Sequence, residues 1–264
     1  MITSTSNVQI KQIMALLKKN KERKEQKAFV IEGRKMFEEI CQEKSRVIKA
    51  YFSDSYIKEQ YGSRALPEIP YEVVADSVFE AMAETVTPQG VLAIVKMPEY
   101  SLEEMVKNAG TLVLLENLRD PGNLGTIIRT AEAAGVSGVI LSKESVDIYN
   151  PKVIRSTMGA VYRVPFLYVE DFPGLLSDLK KQQVRLLAAH LKGDKTFENA
   201  DYCGKVGILI GNEANGLSDE VAELAEEKVL IPMAGQVESL NAAVAAALLM
   251  YEAFRGRGWK KEDR

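Results

Sequence analysis

A change of pattern within residues 112–135 constrains the fold more than any other feature of the chain. Residues 112–115 form an unbroken apolar run, typical of a buried strand. Residues 120–123 read Asp-Pro-Gly-Asn and predict a turn, because proline presets φ and glycine accepts positive φ. From residue 124 the apolar side chains recur with helical spacing, and Gly135 is placed as a stop signal. A strand leading through a polar turn into a helix predicts an open α/β sheet, in which ligands bind at the carboxyl ends of the strands.

The same alternation continues to the end of the chain. It predicts strands at residues 112–116, 136–141, 165–169, 185–190, 206–211 and 228–231. It predicts helices at residues 123–134, 151–158, 172–183, 218–226 and 239–254. Strict alternation indicates a mostly parallel sheet with helices on both faces. The residues before Met97 show a second alternation that predicts a smaller α/β sandwich, so we place the domains at 1–97 and 98–264.

The composition excludes several classes of protein. A chain of 264 residues that is 46% hydrophobic is long enough for two domains. The net charge of −3 excludes a globally basic nucleic-acid binder but permits a local basic face. Two cysteines and one histidine cannot form a structural zinc site with four Cys/His ligands, and no metal is expected. With no apolar run of membrane-spanning length and no evident signal peptide, a cytoplasmic protein is expected.

Basic residues are concentrated near the start of the chain. Residues 8–27 are predicted to be helical, with an apolar stripe on one face. The basic set is either a solvated helix face or an electrostatic footprint for an RNA backbone. Its concentration leads us to predict RNA contacts from Lys18, Lys19, Lys21, Arg23, Lys24, Lys27 and the later Arg34.

Three stretches of the second domain place polar residues and glycines directly after predicted strands. They are residues 117–129, 211–218 and 231–241. Three such loops in one domain point to a shared site. The glycine fingerprint of dinucleotide-binding proteins and the phosphate-loop lysine motif are both missing from the sequence. Their absence argues against a nicotinamide-dependent oxidoreductase, which the α/β alternation alone would permit.

These three stretches resemble the motifs of the SpoU/TrmH family, RNA ribose 2′-O-methyltransferases of the SPOUT superfamily. The matching positions occur in order: Asn117, 120–125 and 129–131, then 211–213 and 216–218, then 231–233 and 239–241. The first domain resembles the L30e/L7Ae-type substrate-binding domain of many members. That second resemblance rests on the basic helix followed by residues 29–33, Phe-Val-Ile-Glu-Gly.

The resemblance implies a trefoil-knotted α/β fold and an obligate homodimer with its site near the subunit interface. It also implies S-adenosylmethionine as cofactor, held against the ends of the strands by backbone groups. His190 belongs to this set, although by itself it is better interpreted as a satisfied histidine at a strand end than as a base. The residues expected to bind the cofactor are Ala188, His190, Leu191, Gly211, Asn212, Ile231, Met233 and Leu240.

Arg129 is the residue that the resemblance places at the centre of catalysis. Since a guanidinium stays protonated in proteins, we expect Arg129 to orient the ribose and stabilise the developing negative oxygen, with an RNA phosphate taking the proton. Asn123 is expected to hold Arg129 or the RNA, and Glu213 either shapes the pocket or pairs with Arg129. Ser239 and Asn241 are also expected to shape the pocket. Arg119 is expected to lie on the RNA-facing rim.

The expected substrate is 23S ribosomal RNA. A separate RNA-binding domain on a compact catalytic domain is more typical of family members that act on large ribosomal RNA than of those that act on transfer RNA. Two alternatives stay open at this point: a transfer RNA 2′-O-methyltransferase, and a non-catalytic RNA-binding protein of the same fold.

Overall fold

The structure is a computed structural model that describes residues 1–62, 68–107 and 109–258. The chain divides into two compact units. The first comprises Met1–Glu99 together with Asp147–Tyr162, and the second comprises Tyr100–Val146 and Arg163–Arg264. The sequence suggested one boundary after residue 97, whereas in the structure a segment from the middle of the chain packs within the first unit.

The first unit is built on a four-stranded sheet of order β1-β4-β2-β3. β4 is antiparallel to both β1 and β2, and β2 is parallel to β3. The strands are β1 (Ala28–Glu32), β2 (Val47–Ser53), β3 (Tyr71–Val74) and β4 (Val91–Lys96). The helices are α1 (Val8–Lys18), α2 (Asn20–Gln26), α3 (Arg34–Ile40), α4 (Asp54–Gln60), α5 (Asp76–Met82) and, from the inserted segment, α8 (Pro151–Thr157). The apolar stripe of α1 packs into the core of this unit, and α8 packs against β1.

The single helix predicted over residues 8–27 is wrong in one respect, because the structure has two helices there. α1 ends at Lys18, and Lys19 adopts an extended conformation with φ −121° and ψ 115° before α2 begins. No proline or glycine marks the break in the sequence. At the break, the Arg23 side chain folds back from α2 and binds the end of α1.

Arg23 is buried, with only 4% of its surface exposed. Its Nη1 donates to the carbonyl oxygens of Leu16 and Leu17 at 2.6 and 3.1 Å. Its Nε and Nη2 both donate to Oδ2 of Asp147 at 3.0 and 2.6 Å. A guanidinium used in this way is not available to RNA phosphates, so we correct the prediction that Arg23 binds RNA.

The second unit contains a seven-stranded parallel sheet of order β7-β6-β5-β10-β8-β11-β9. Its strands are β5 (Thr111–Leu115), β6 (Gly138–Ser142), β7 (Phe166–Val169), β8 (Arg185–Ala189), β9 (Lys195–Thr196), β10 (Val206–Ile210) and β11 (Glu227–Leu230). The helices are α6 (Leu102–Lys107), α7 (Pro121–Ala133), α9 (Phe172–Lys181), α10 (Asp219–Leu224) and α11 (Ala242–Gly256). All residues of β5, β6 and β10 are buried, as expected for strands covered on both faces.

The predicted α/β fold with a mostly parallel sheet is confirmed, and all six predicted strands of this unit are present. The two-residue edge strand β9 was not predicted, because two residues carry no periodic signal. The order of the strands does not by itself define a knot, which stays a prediction. No helix in the described part of the chain is long and apolar enough to cross a membrane.

The order of the strands decides where the site lies. β5, β10, β8 and β11 are consecutive neighbours and all parallel, so their carboxyl ends meet at one edge of the sheet. The three polar stretches singled out in the sequence begin at the ends of β5, β10 and β11. They are therefore brought together by the topology.

Candidate active site

Glu213, in the loop after β10, reaches across to the loop after β5. Its Oε1 accepts hydrogen bonds from the backbone N–H of Asp120 and from Nδ2 of Asn123, both at 2.9 Å. Its Oε2 accepts from the backbone N–H of Arg119 at 3.2 Å. One carboxylate thus fixes the turn that leads into α7.

A second carboxylate, from the loop after β5, binds the loop after β10. Glu116 lies at the end of β5, is 8% exposed, and accepts hydrogen bonds from the backbone N–H and the Oγ of Ser218 at 2.8 and 2.6 Å. Nδ2 of Asn212 donates to the carbonyl oxygen of Asn117 at 2.8 Å. The sequence prediction missed Glu116. Two sequence features could have predicted its role: Glu116 directly follows an apolar strand, and the loop after β10 ends in Ser218, which caps a helix.

Asn241 brings the third loop into the same network. Its Oδ1 caps α11 by accepting from the backbone N–H groups of Ala243 and Val244. Its Nδ2 donates to Oδ1 of Asn123 at 2.9 Å. Because Asn123 donates in turn to Glu213, a continuous chain of hydrogen bonds runs from Asn241 through Asn123 to Glu213. Three predicted catalytic residues from three separate loops are therefore in contact.

α7 begins where this network ends. Asp120 caps the helix by accepting from the backbone N–H of Asn123 at 2.8 Å, and Pro121 occupies the first turn, where its missing N–H costs nothing. Asn117 adopts a positive φ of 52°, a conformation that asparagine tolerates better than most residues. The backbone N–H of Asn117 donates to Oγ of Ser142 at 2.9 Å, which holds the loop in this conformation.

Arg129 is exposed on α7, two turns beyond the cap. It forms no hydrogen bond or ion pair with any residue that the structure describes. Of the alternatives offered for Asn123 and Glu213, a contact with Arg129 is not formed in this structure, where those two side chains bind each other. The guanidinium is therefore available for a substrate.

The pKa of Glu213 lies below its ordinary value. Partial burial raises the pKa, but the hydrogen bonds from the Asn123 side chain and from the backbone of Asp120, Glu213 and Arg119 outweigh it. A carboxyl whose pKa is lowered on folding contributes stability above its unfolded pKa, and this contribution is lost as the pH falls through the lower, folded value.

Glu213→Gln is expected to reduce the free energy of unfolding by about 1 kcal/mol at neutral pH, because the amide NH2 would face a backbone donor. The difference between variant and wild type should shrink in acid, where the wild-type carboxyl is also protonated. Urea denaturation at several pH values would measure it. Glu144→Gln, at an exposed position, is the matched control. A destabilisation that persists unchanged in acid would contradict this role of the charge.

The residues predicted to bind the cofactor lie at the ends of three neighbouring strands, β10, β8 and β11. Ile231, Met233 and Leu240 are half-buried, and Leu191 is 58% exposed. Apolar side chains beside backbone at the carboxyl edge of a parallel sheet suit an adenosyl group, which needs an apolar surface and a few polar contacts. Of the other predicted cofactor residues here, Gly211 is buried, and Asn212 and His190 are half-buried.

Ala188 and His190 differ in what they can offer a ligand. Ala188 is fully buried inside β8 and pairs with Leu209 and Lys228 on either side, so it supports the site from below. His190 Nδ1 accepts from the backbone N–H of Lys192 at 3.1 Å, which places the proton of the neutral ring on Nε2. The interpretation of His190 as a satisfied histidine at a strand end fits this contact.

The remaining predicted residues are exposed. Ser239 makes no hydrogen bond with a described residue. Arg119 lines an open cavity of about 910 Å³ between the two loops that Glu213 and Glu116 join. In the first unit, Lys27 pairs with Glu99 at 2.7 Å, and the Arg34 guanidinium lies over the Tyr56 ring at 5.6 Å. Lys18, Lys19 and Lys24 are exposed and have no described ion-pair partner, and Lys21 is exposed and pairs with Glu25 at 3.7 Å.

Comparison with known proteins matches both units. Residues 110–251 match the SpoU rRNA Methylase family, and residues 7–93 match the MRM3-like substrate binding domain. An uncharacterized tRNA/rRNA methyltransferase of Synechocystis is 35% identical over 96% of this chain and 93% of its own length. The 23S rRNA (guanosine(2553)-2′-O)-methyltransferase RlmP of Bacillus subtilis is 32% identical over 95% of this chain and 97% of its own.

A solved structure with bound cofactor agrees with these matches. The AdoMet-bound rRNA methyltransferase from Sinorhizobium meliloti has a TM-score of 0.83 and 32% identity, and it covers 98% of both chains. The chain therefore belongs to the SpoU family of S-adenosylmethionine-dependent RNA methyltransferases.

Proposed function

We propose that this protein transfers a methyl group from S-adenosylmethionine to the 2′-hydroxyl of a ribose in 23S ribosomal RNA. The observation that carries the proposal is the chain of hydrogen bonds from Asn241 through Asn123 to Glu213. Six residues further along α7, Arg129 is exposed and has no hydrogen-bond or ion-pair partner among the described residues. The name of the Bacillus subtilis relative supports ribosomal RNA as the substrate class. We also propose a cytoplasmic location for the protein.

The residues of the three connected loops have different roles in the proposed reaction. When bound, the cofactor supplies an electrophilic methyl group on a sulfonium. Gly211, Ile231 and Leu240 would hold it through backbone groups and apolar surface at the ends of the strands. Glu213 and Asn123 hold the start of α7 in place, which fixes the position of the helix that carries Arg129.

Arg129 would bind the ribose oxygen and its neighbouring phosphate. Its charge stabilises negative charge that develops on the 2′-oxygen, and holding the oxygen in line removes much of the entropic cost of the reaction. Because a guanidinium does not accept a proton at neutral pH, we assign the proton to an RNA phosphate oxygen. In the first unit, Lys18, Lys19, Lys21 and Lys24 would contact the phosphate backbone without reading its sequence.

The test of this function is methyl incorporation from labelled S-adenosylmethionine into RNA from a strain that lacks the gene. Ribosomal RNA and transfer RNA are assayed separately, and the labelled ribose is identified after nuclease digestion. Label on a 2′-oxygen in 23S ribosomal RNA is the expected result. Label confined to transfer RNA would overturn the substrate, and cofactor binding without label in either would favour a non-catalytic RNA-binding protein.

A homodimer is the second part of the proposal. α11 carries three exposed apolar side chains at helical spacing, Val244 (48% exposed), Leu248 (36%) and Tyr251 (49%), which form one stripe on the helix surface. Apolar stripes of this kind on a helix that already buries its opposite face are typical of subunit contacts. A second copy of the chain is the expected occupant.

The double variant Leu248→Asp/Tyr251→Asp is expected to sediment mainly as a monomer, because two buried carboxylates in an apolar contact are costly. Sedimentation velocity over a range of concentrations would measure the change. Val8→Asp, at an 80% exposed position of α1, is the control that should leave the wild-type dimer intact. A wild-type protein that is monomeric at every concentration would refute the dimer.

A further inference from the structure

Two helices of the second unit, α7 and α11, pack against each other and are joined by polar contacts at both ends. At their amino ends, Nδ2 of Asn241 donates to Oδ1 of Asn123 at 2.9 Å. At their carboxyl ends, Nη2 of Arg257 donates to the carbonyl oxygens of Ala134 and Gly135 at 3.1 and 3.5 Å. The pair therefore runs parallel, with a side chain from the α11 segment holding each end of α7.

The position of Arg257 is specific to an arginine. Arg257 is exposed as a residue, but its guanidinium is partly desolvated against α7, which lowers its pKa. No described carboxylate pairs with it, so the unpaired carbonyls at the end of α7 are its recorded partners. A cation at this end is favoured by the helix dipole and completes the cap. Gly110 lies close to this side chain, since a Cβ atom there would stand 2.6 Å from Nη1 at the flexible end of Arg257.

Arg129 lies between these two points of attachment. It is six residues after Asn123 and five residues before Ala134, which at about 1.5 Å per residue is roughly 9 and 8 Å along the helix axis. It has no described partner of its own, so its position depends on how α7 is held. A shift at either end of the helix would move the guanidinium relative to a bound ribose.

We infer that Arg257 is a positioning residue for methyl transfer, which acts by fixing the carboxyl end of α7 and thereby the place of Arg129. This inference rests on the proposed function, in which Arg129 contacts the ribose. It separates two roles at the end of α11: Arg257 serves the neighbouring helix, whereas Arg255 pairs with Glu252 within α11 itself.

Arg257→Gln is expected to lower kcat about tenfold or more, while the Kd for S-adenosylmethionine changes less than about twofold. Arg257→Lys, which keeps the charge but loses the fork of donors, should give a smaller loss. Arg255→Gln is the matched control and should keep the wild-type kcat. Circular dichroism fixes an assay temperature at which every variant is folded.

A double-mutant cycle distinguishes positioning from general destabilisation. If Arg257 acts through Arg129, adding Arg257→Gln to Arg129→Ala lowers kcat no further, because the group that it positions is already gone. Hydrogen exchange at residues 134–136 should also rise in Arg257→Gln, since that end of α7 loses its cap. An additive loss in the cycle, or a wild-type kcat for a folded Arg257→Gln, would overturn the inference.

Failure of the proposed function can be distinguished from failure of the positioning role of Arg257. A wild-type protein that methylates no RNA, or an Arg129→Ala protein with full activity, overturns both the catalytic role of Arg129 and the positioning role derived from it. Methyl transfer that depends on Arg129 but not on Arg257 overturns only the latter.

Discussion

Arg129→Ala is expected to lower kcat for methyl transfer by about 100- to 1,000-fold, the loss that follows removal of one group stabilising an oxyanion. The reason is that Arg129 is exposed on α7, whose amino end the network of the three loops holds, and its charge is not paired with a described residue. The fold should be unaffected, because the side chain makes no contact with described residues. Single-turnover kinetics with labelled S-adenosylmethionine, together with the Kd for that cofactor, would measure the effect.

Arg119→Ala is the matched control for this prediction. Arg119 is also exposed near the site, but its recorded hydrogen bond to Glu213 comes from the backbone, so the substitution leaves the network intact. We expect a raised KM for RNA and a nearly unchanged kcat. A large fall of kcat in Arg119→Ala with none in Arg129→Ala would exchange the roles assigned to the two arginines.

Arg23→Ala is expected to reduce the free energy of unfolding by about 3 kcal/mol, the range observed when one partner of a buried ion pair is removed. The substitution strands the Asp147 carboxylate, whose side chain is 16% exposed, and leaves the carbonyls of Leu16 and Leu17 without this donor. Urea denaturation would show a lower midpoint at an unchanged slope.

Lys24→Ala is the control for the Arg23 prediction, since Lys24 is the next residue of α2 but is exposed. A change within about 0.5 kcal/mol is expected there. The effects on RNA affinity should be reversed: Lys24→Ala is expected to weaken RNA binding, whereas a folded Arg23→Ala protein is expected to bind RNA as the wild type does. Equal stability of both variants would contradict the buried ion pair.

Periodic features of the sequence were sufficient to predict most of the fold. The apolar runs at β5 and β10 are buried along their whole length, so their composition alone indicates covered parallel strands. Neighbouring parallel strands must end at one edge, and this predicted that Asn123, Glu213 and Asn241 would lie near each other. The contacts themselves could not be predicted, because each joins residues some ninety or more positions apart.

The errors share one physical cause. The buried guanidinium of Arg23, which folds back onto the end of α1, pairs with Asp147, 124 residues further along the chain. A local pattern of lysines and arginines reports charge but not which of them meets a distant carboxylate. Similarly, opposite charge suggested Arg129 as one possible partner of Glu213. In the structure the carboxylate oxygens of Glu213 instead accept hydrogen bonds from backbone and side-chain amide groups.

The composition of the first unit has a consequence for protein synthesis. Its sheet is complete by Lys96, yet α8 and the counter-ion of Arg23 are translated only later, within Asp147–Tyr162. At about 5–20 residues per second, roughly 3–13 s pass between the emergence of the sheet and that of the segment completing it. During this interval the nascent chain exposes the surface of β1 that α8 later covers and holds an unneutralised guanidinium. The first unit is therefore completed only after residues 100–146 of the second unit have been translated, and before residues 163–264 are.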